Sequence, residues 1–360
     1  MSAEHQQRLA RLRARLAEAD LDGLVVSTPS NIFYLSGFTG SSGALLVSRD
    51  RAALLSDFRY RLQAREQATD CEFVEIPRKL YFNLGALAKT WELRRVGFEG
   101  GHLTCEAKEQ LAQGAEGVEL TPASPVEELR VVKSAAEVAC IRAAAHLADD
   151  ALAAMVRLLR PGVTEREVAL EGEFHMRRAG AEAAAFDLIV AFGPHSALPH
   201  AETTERRLQP GDLVVIDIGA RVAGYCSDMT RTFASVEASP QAAEIYSICY
   251  RAQRAAAAAV KPGAVCGEVD AVARTMIEAA GYGDAFGHGL GHGVGIDVHE
   301  GPRLAREIET KLQAGSVVTV EPGIYLADIG GVRLEDLVLV GEDGAETLTG
   351  SPMAEELPII

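Results

Sequence analysis

The sequence predicts an α+β protein in two parts: an α/β layered front domain, then a larger domain built from a duplicated helix-plus-strand unit. Three observations carry this reading. The first third alternates helical and strand patterns. The segment "LTPASPVEELRVVKS" then breaks the alternation with two prolines. Beyond it, "LQPGDLVVIDIG" at 208–219 returns as "LQAGSVVTVEPG" at 312–323, an offset of 104 residues.

The elements of the front part follow in order. "EHQQRLARLRARLAEAD" is an amphipathic helix with Leu9, Leu12 and Leu16 on one face. A strand is expected at Gly23–Ser27, then a turn-rich stretch, "TPSNIFYLSGFTGSSG", and strands near Ala44–Ser48 and Ala52–Ser56. "FRYRLQAREQ" reads as helix, and "CEFVEIP" and "RRVGFEG" as strands. The domain boundary falls near Val126–Val132, giving a front domain over 1–128 and a second domain over 129–360.

The second part opens on a long helix. Ser134 is placed as its N-cap, with Glu137 three residues on in a capping-box arrangement. Its apolar stripe runs through Val138, Ile141, Ala145, Leu152 and Met155. The helix end "RPG" at 160–162 returns as "KPG" at 261–263, and Glu167-Val168 as Glu268-Val269, both offset by 101. This period is too long for a solenoid repeat. Two halves related by a pseudo-twofold axis, with their acid-bearing strands meeting at the centre, account for it.

Those acids are the anomaly. Asp217 and Glu321 interrupt apolar strands at matching places, and a buried charge is costly unless paired. A turn at Val222-Ala223 sets Asp217 opposite Asp228, with Cβ atoms about 5 Å apart. A turn near Asp328–Gly330 sets Glu321 opposite Glu335. Adjacent buried carboxylates do not both ionise cheaply without a cation. Four of them balance two divalent ions, the charge logic of a dinuclear site.

Five of nine histidines fall in two loop-like stretches, "FGPHSALPHA" (His195, His200) and "FGHGLGHGVGIDVHEGP" (His288, His292, His299). His288 and His292 have the spacing of a helical zinc motif. However, glycines at 287, 289, 291 and 293 oppose a helix, and no Glu follows His288, so the zinc-helix reading is rejected.

Bulk composition narrows the class. The formal net charge of −16 opposes nucleic acid and anionic membrane as partners. No apolar run approaches a membrane span. The opening helix lacks an apolar signal core, and Glu4, Glu18 and Asp20 oppose a transit peptide. The six cysteines are scattered, as expected of reduced thiols in a cytoplasmic protein.

At these residues the chain resembles a known family. "DIGARVAGYCSDMTRTF", "GHGLGHGVGIDVHE", "VEPGIY" and "GGVRLEDLVLV" are similar to the motifs of the pita-bread metallopeptidases, most closely the Xaa-Pro peptidases aminopeptidase P and prolidase. "PSNIFYLSGFTG" and "SDFRYRLQA" resemble their creatinase-like N-terminal domain. The resemblance implies Asp217, Asp228, His292, Glu321 and Glu335 as metal ligands, with Asp228 and Glu335 bridging two ions. It implies Mn²⁺ or Co²⁺, with Zn²⁺ as the alternative, and the oxygen-rich ligand set suits them. His200, His288, His299 and Arg333 are then substrate-binding. Glu321, His299 and His200 are the implied catalytic groups: Glu321 moves the proton, and His299 or His200 supports the oxyanion. His195 is left as a supporting or structural residue.

The implied activity is cleavage between an N-terminal residue and proline, by an Xaa-Pro aminopeptidase acting on peptides with proline second. An Xaa-Pro dipeptidase is the near alternative, although "DFRYRLQA" leans towards the aminopeptidase branch. A non-enzymatic peptide-binding protein on the same fold is the remote one, and creatinase-like cleavage of a non-peptide amide is opposed by the intact ligand set. The resemblance also implies a homodimer.

Overall fold

The computed structural model describes residues 2–360, in two compact units that divide between Arg130 and Val131.

The first unit comprises helices α1 (Ser2–Glu18), α2 (Pro29–Ser36), α3 (Arg61–Gln67), α4 (Leu80–Thr90), α5 (Cys105–Gly114) and α6 (Pro125–Arg130). Its strands are β1 (Gly23–Val26), β2 (Ala44–Ser48), β3 (Ala52–Ser56), β4 (Glu72–Glu75), β5 (Arg95–Phe98) and β6 (Glu119–Pro122). They form one mixed sheet, β4-β3-β2-β1-β5-β6. The central strands β1, β2 and β3 are buried along their whole length, which their unbroken apolar runs require.

One expectation here is corrected. The stretch read as turns contains helix α2, which starts at Pro29 and ends at Gly37, where φ is 76°. Its N-cap Thr28 makes no side-chain cap bond. The buried carboxylate of Glu99 caps it instead, accepting from Ser27 N and Thr28 N at 2.6 Å and from Asn31 Nδ2 at 2.6 Å. A cap supplied from 68 or more residues away leaves no local signal.

The second unit begins with α7 (Ala135–Val156) and α8 (Glu165–Arg178). Strands β7 (Ala183–Ala184), β8 (Ile189–Phe192), β9 (Leu213–Ile218), β10 (Ala220–Val222), β11 (Tyr225–Cys226) and β12 (Met229–Ala234) follow. Helices α9 (Pro240–Ala259) and α10 (Cys266–Ala279) open the second half. It continues with β13 (Gly291–Gly293), β14 (Glu300–Leu304), β15 (Val317–Val320), β16 (Gly323–Leu326), β17 (Gly330–Arg333), β18 (Asp336–Val340) and β19 (Ala345–Thr347).

The duplication is structural. Helices α8 and α10 both run 14 residues and start 101 residues apart. Gly162 N donates to Leu208 O and Gly263 N to Leu312 O, each at 2.8 Å. Leu208 N and Leu312 N return the bond to Val163 O and Ala264 O, each at 2.9 Å. In each half the acid-bearing strand lies between two antiparallel partners: β9 between β8 and β12, β15 between β13 and β18. Each sheet buries its face under its own helix pair. Met155, Val168, Val214 and Ile216 belong to one core, and Cys249, Val269, Val318 and Val338 to the other. The halves join where β12 meets β17 and β18. Thr232 Oγ1 donates to Arg333 O at 2.8 Å, and Glu335 N donates to Thr230 O at 3.1 Å.

The capping box at the start of α7 is present as expected, with Ser134 and Glu137 bonding reciprocally.

Candidate metal centre and substrate cavity

Each acid lies at a strand end, where the apolar sheet holds the backbone and the side chain reaches the seam between the halves. Asp217 is in β9, Asp228 immediately precedes β12, Glu321 follows β15 and Glu335 immediately precedes β18. In the second hairpin, Val320 faces Asp336 and Gly323 faces Arg333, so Glu321 stands opposite Glu335 as expected.

The first hairpin differs from the expectation. Asp217 faces Thr230, not Asp228. The turn falls one residue later, at Ala223-Gly224, where both residues have positive φ (48° and 81°), the conformation a two-residue hairpin favours. Side chains alternate with period two, so this two-residue slip in the pairing leaves Asp228 on the same face, one diagonal step from Asp217.

Asp217, Asp228, His292, Glu321 and Glu335 line one cavity of about 780 Å³, together with His200, His288, His299 and Arg333. The nine residues to which the resemblance gives metal, substrate or catalytic roles therefore meet there. Asp228, His292 and Glu335 each offer a ligand atom within 4.8 Å of the others. His292 Nε2 lies 3.2 Å from Glu321 Oε1 and 3.6 Å from Asp228 Oδ2. His292 Nδ1 is 3.1 Å from Gly293 O. That contact holds the Nδ1 proton and turns Nε2 towards the carboxylates, where it carries a proton against Glu321 in the metal-free protein and offers its lone pair to a cation once that proton leaves.

The surrounding groups orient these side chains. Arg333 Nη2 donates to Asp217 Oδ2 at 2.7 Å, Nε to Thr230 Oγ1 at 3.0 Å, and Nη1 to Pro199 O and Tyr325 Oη at 3.1 Å. Thr230 Oγ1 donates to Glu335 Oε2 at 2.7 Å. Thr319 Oγ1 accepts from His292 N and donates to Glu321 Oε1 at 3.0 Å. Tyr325 Oη is 2.9 Å from His288 Nε2, and His288 Nδ1 is 2.8 Å from Gly289 O. With Nδ1 donating to that carbonyl, the tyrosine hydroxyl donates to Nε2.

The electrostatics follow from burial and crowding. Burial, then the charges of Glu335, Asp217 and Glu321, push the Asp228 carboxyl well above its ordinary value. Glu335 is likewise pushed well up by burial and by Glu321 and Asp217. Burial also raises Asp217, against the pull of Arg333. Glu321 behaves differently. Burial opposes its charge, but the hydrogen bond and charge of His292, with His288 and Arg333, outweigh it and hold the carboxyl below its ordinary value. Burial lowers His288 and His299, favouring the neutral form of each imidazole, and pushes Tyr325 up to about 12.

This donor set fits divalent cations. Asp217 Oδ1 is buried with no hydrogen-bond partner among the described residues. Asp217, Asp228, Glu321 and Glu335 crowd together at one end of the cavity, and the arginine that hydrogen-bonds this cluster is Arg333. Such a cluster is costly in ionised form unless cations join it.

Two further residues, His195 and Cys226, lie outside this cluster. His195 does not line the cavity; its Nδ1 is 2.8 Å from Glu165 Oε1, a carboxylate that also receives Phe192 N and Thr204 N. Cys226 is buried with its Sγ 3.4 Å from Ile296 O, and burial raises its thiol. Conversely, Tyr325, Thr230, Thr319 and Arg303 belong to the site and were not singled out. Tyr325 reads as core in "GIYL", and the threonines read as ordinary strand residues. Arg303 carried no motif. It lies opposite His292 in β14, lines the cavity and is exposed, with no ion-pair partner among the described residues.

The family model of metallopeptidase family M24 matches residues 139–342, and that of the creatinase/prolidase N-terminal domain matches residues 8–132. The chain is 38% identical to an Xaa-Pro dipeptidase of Pyrococcus furiosus over 347 residues, covering 96% of this chain and 98% of that one. A solved Xaa-Pro dipeptidase from Bacillus anthracis superposes with a TM-score of 0.95 at 40% identity, covering 99% and 100% of the two chains. An X-Pro aminopeptidase from Thermotoga maritima superposes with a TM-score of 0.86 at 33% identity, covering 96% and 100%.

Proposed function

The chain belongs to metallopeptidase family M24, with a creatinase-type N-terminal domain and a pita-bread catalytic domain, and we propose that it is an Xaa-Pro peptidase using two divalent ions. The single observation carrying this is the convergence of four carboxylates and one imidazole in a cavity rimmed by three further histidines. Asp217, Asp228, His292, Glu321 and Glu335 would hold the ions, with Mn²⁺ or Co²⁺ favoured by the oxygen-rich set. When bound, divalent ions polarise the scissile carbonyl and acidify a water towards neutral pH.

The chain's own residues supply the rest. Glu321, held ionised beside His292, takes the proton of the attacking water and returns it to the leaving nitrogen. His299, or His200 beside it, donates to the developing oxyanion, a contribution of about 3–4 kcal/mol for one such donor. Arg333 holds one oxygen of Asp217, so the other faces the cluster. The chain Arg333–Tyr325–His288 fixes the His288 ring at the cavity wall.

The leaving nitrogen is proline's, which in the peptide bears no N–H. Between the two Xaa-Pro activities, Arg303 favours dipeptides. A free guanidinium at the cavity wall suits a terminal carboxylate, which in Xaa-Pro lies on the residue next to the scissile bond. The relatives described as Xaa-Pro dipeptidases, at 38% and 40% identity, point the same way. Aminopeptidase action on longer peptides is the second reading, supported by the relative described as an X-Pro aminopeptidase.

The test is turnover of Ala-Pro against Ala-Pro-Ala by protein reconstituted with Mn²⁺ or Co²⁺. Dipeptide preference is expected; equal or better cleavage of the tripeptide supports the second reading. Absence of bound metal together with no cleavage of either peptide would sink both and favour a non-enzymatic binding protein.

A further inference from the structure

Lys133 stands near the start of the second unit, ahead of α7. Its Nζ lies 2.8 Å from Glu300 Oε1, and the two side chains are 1% and 10% exposed. An ammonium so enclosed persists only against a carboxylate, because its desolvation is otherwise uncompensated. The Lys133 backbone is also anchored: its N–H donates to Gly315 O at 2.9 Å, in the turn that leads into β15.

Glu300 follows His299 and opens β14, with its Cα facing Gly293 beside His292. Its carboxylate folds over the loop before it. A Cβ added to Gly295 would lie 2.1 Å from Glu300 Oε1, so only glycine lets the acid pack there. Gly295 N donates to Asp297 O at 3.0 Å, and Gly295 O accepts from Cys226 N at 2.7 Å, two residues before Asp228. The His299 ring packs on His292 at 4.2 Å between centroids. No hydrogen bond holds that ring among the described residues, so its position depends on the backbone of loop 294–300.

We propose that Lys133 is a positioning residue for hydrolysis: its ion pair with Glu300 sets loop 294–300 and thereby places His299 over the reacting carbonyl. The role of His299 rests on the hydrolase reading above; the ordering of the loop does not. The ion pair pins the loop at its C-terminal end, the Cys226–Gly295 bond pins its N-terminal end, and His299 lies between them. A displacement of about 1 Å at such a residue costs on the order of 100-fold in rate.

The experiment compares wild type with Lys133→Met and with the double variant Lys133→Met/Glu300→Gln, each reconstituted with Mn²⁺. The double variant removes both charges and so avoids an orphaned buried carboxylate, which keeps the test open if the single variant folds poorly. In both variants, amide exchange across 294–301 is expected to speed up about tenfold, with metal content unchanged. On Ala-Pro, kcat falls about 10–100-fold with KM within about twofold. Unchanged exchange across 294–301 overturns the proposal. So does wild-type kcat in the double variant, or a kcat loss explained by lost metal. A wild type that cleaves no Xaa-Pro peptide sinks the hydrolase reading alone, and amide exchange still decides the placement of the loop.

Discussion

Arg333 donates to one oxygen of Asp217 at 2.7 Å, while the other oxygen of that carboxylate is buried without a hydrogen-bond partner among the described residues. The arginine thus fixes the acid's orientation and leaves one face for a cation. Burial opposes the charge on Arg333, but Tyr325, Asp217 and Glu321 keep it ionised. Arg333→Met therefore removes the orienting bond and the charge together. With Asp217 as a ligand in the proposed two-ion site, we expect metal affinity or turnover to fall about 10–100-fold, read by calorimetric Mn²⁺ titration and by kcat.

Asp228 lies beside His292 and Glu335, and burial, then the charges of Glu335, Asp217 and Glu321, push its carboxyl well above its ordinary value. Asp228→Asn should lose bound metal and nearly all turnover. Elemental analysis with a peptidase assay checks this, and wild-type-like turnover in the variant would end the two-ion assignment.

The metal-free protein should lose stability as pH rises. Asp228 and Glu335 are raised in the folded state, so the fold binds protons there that the unfolded chain has released. Their contribution is fully present below the unfolded carboxylate value of about 4 and is lost as pH climbs through the raised folded values. Glu321, which is lowered, offsets part of this. In chelator, Tm should fall as pH climbs above about 4, and added Mn²⁺ should remove most of that slope by replacing the protons. Thermal scans with and without metal decide it.

Arg303 presents an unpaired guanidinium to the cavity. A charge-assisted hydrogen bond contributes about 1.5–3 kcal/mol, so Arg303→Ala should raise KM for Ala-Pro about 10–100-fold. An amide-blocked dipeptide should be affected far less. Equal effects on both substrates would remove Arg303 from carboxylate recognition.

The two copies differ at their second helix. Thr164 caps α8 in a capping box with Glu167, whereas Val265, at the matching place before α10, makes no side-chain cap bond. Thr164→Ala should cost about 0.5–2 kcal/mol, and Val265→Thr, with Glu268 in place behind it, should add up to about 1 kcal/mol. Urea unfolding measures both.

Much of this molecule is legible in its residues. The capping box at Ser134, the repeated glycine turns and the alternation around Glu321 and Glu335 are local patterns, and local patterns carry their own geometry. The site residues were legible for a related reason: acids in apolar strands and histidines among glycines are costly choices that ordinary packing does not explain. What was missed depends on distant partners. Helix α2 takes its cap from Glu99, more than sixty residues away in the chain. Tyr325 and Arg303 look ordinary until the strands bring them to the wall.

The sequence by itself determined the duplicated architecture and the set of acids and histidines, because period, charge and turn chemistry are written residue by residue. Only the tertiary structure decided the first hairpin's register, pairing Asp217 with Thr230 rather than Asp228. The turn's left-handed residues Ala223 and Gly224 set that pairing, and the period-two alternation of the strand kept both acids on one face in spite of the slip. Tertiary structure alone also decided which neighbours orient the acids, since the bond from Arg333 to Asp217 spans 116 residues and exists only once the two halves close on each other.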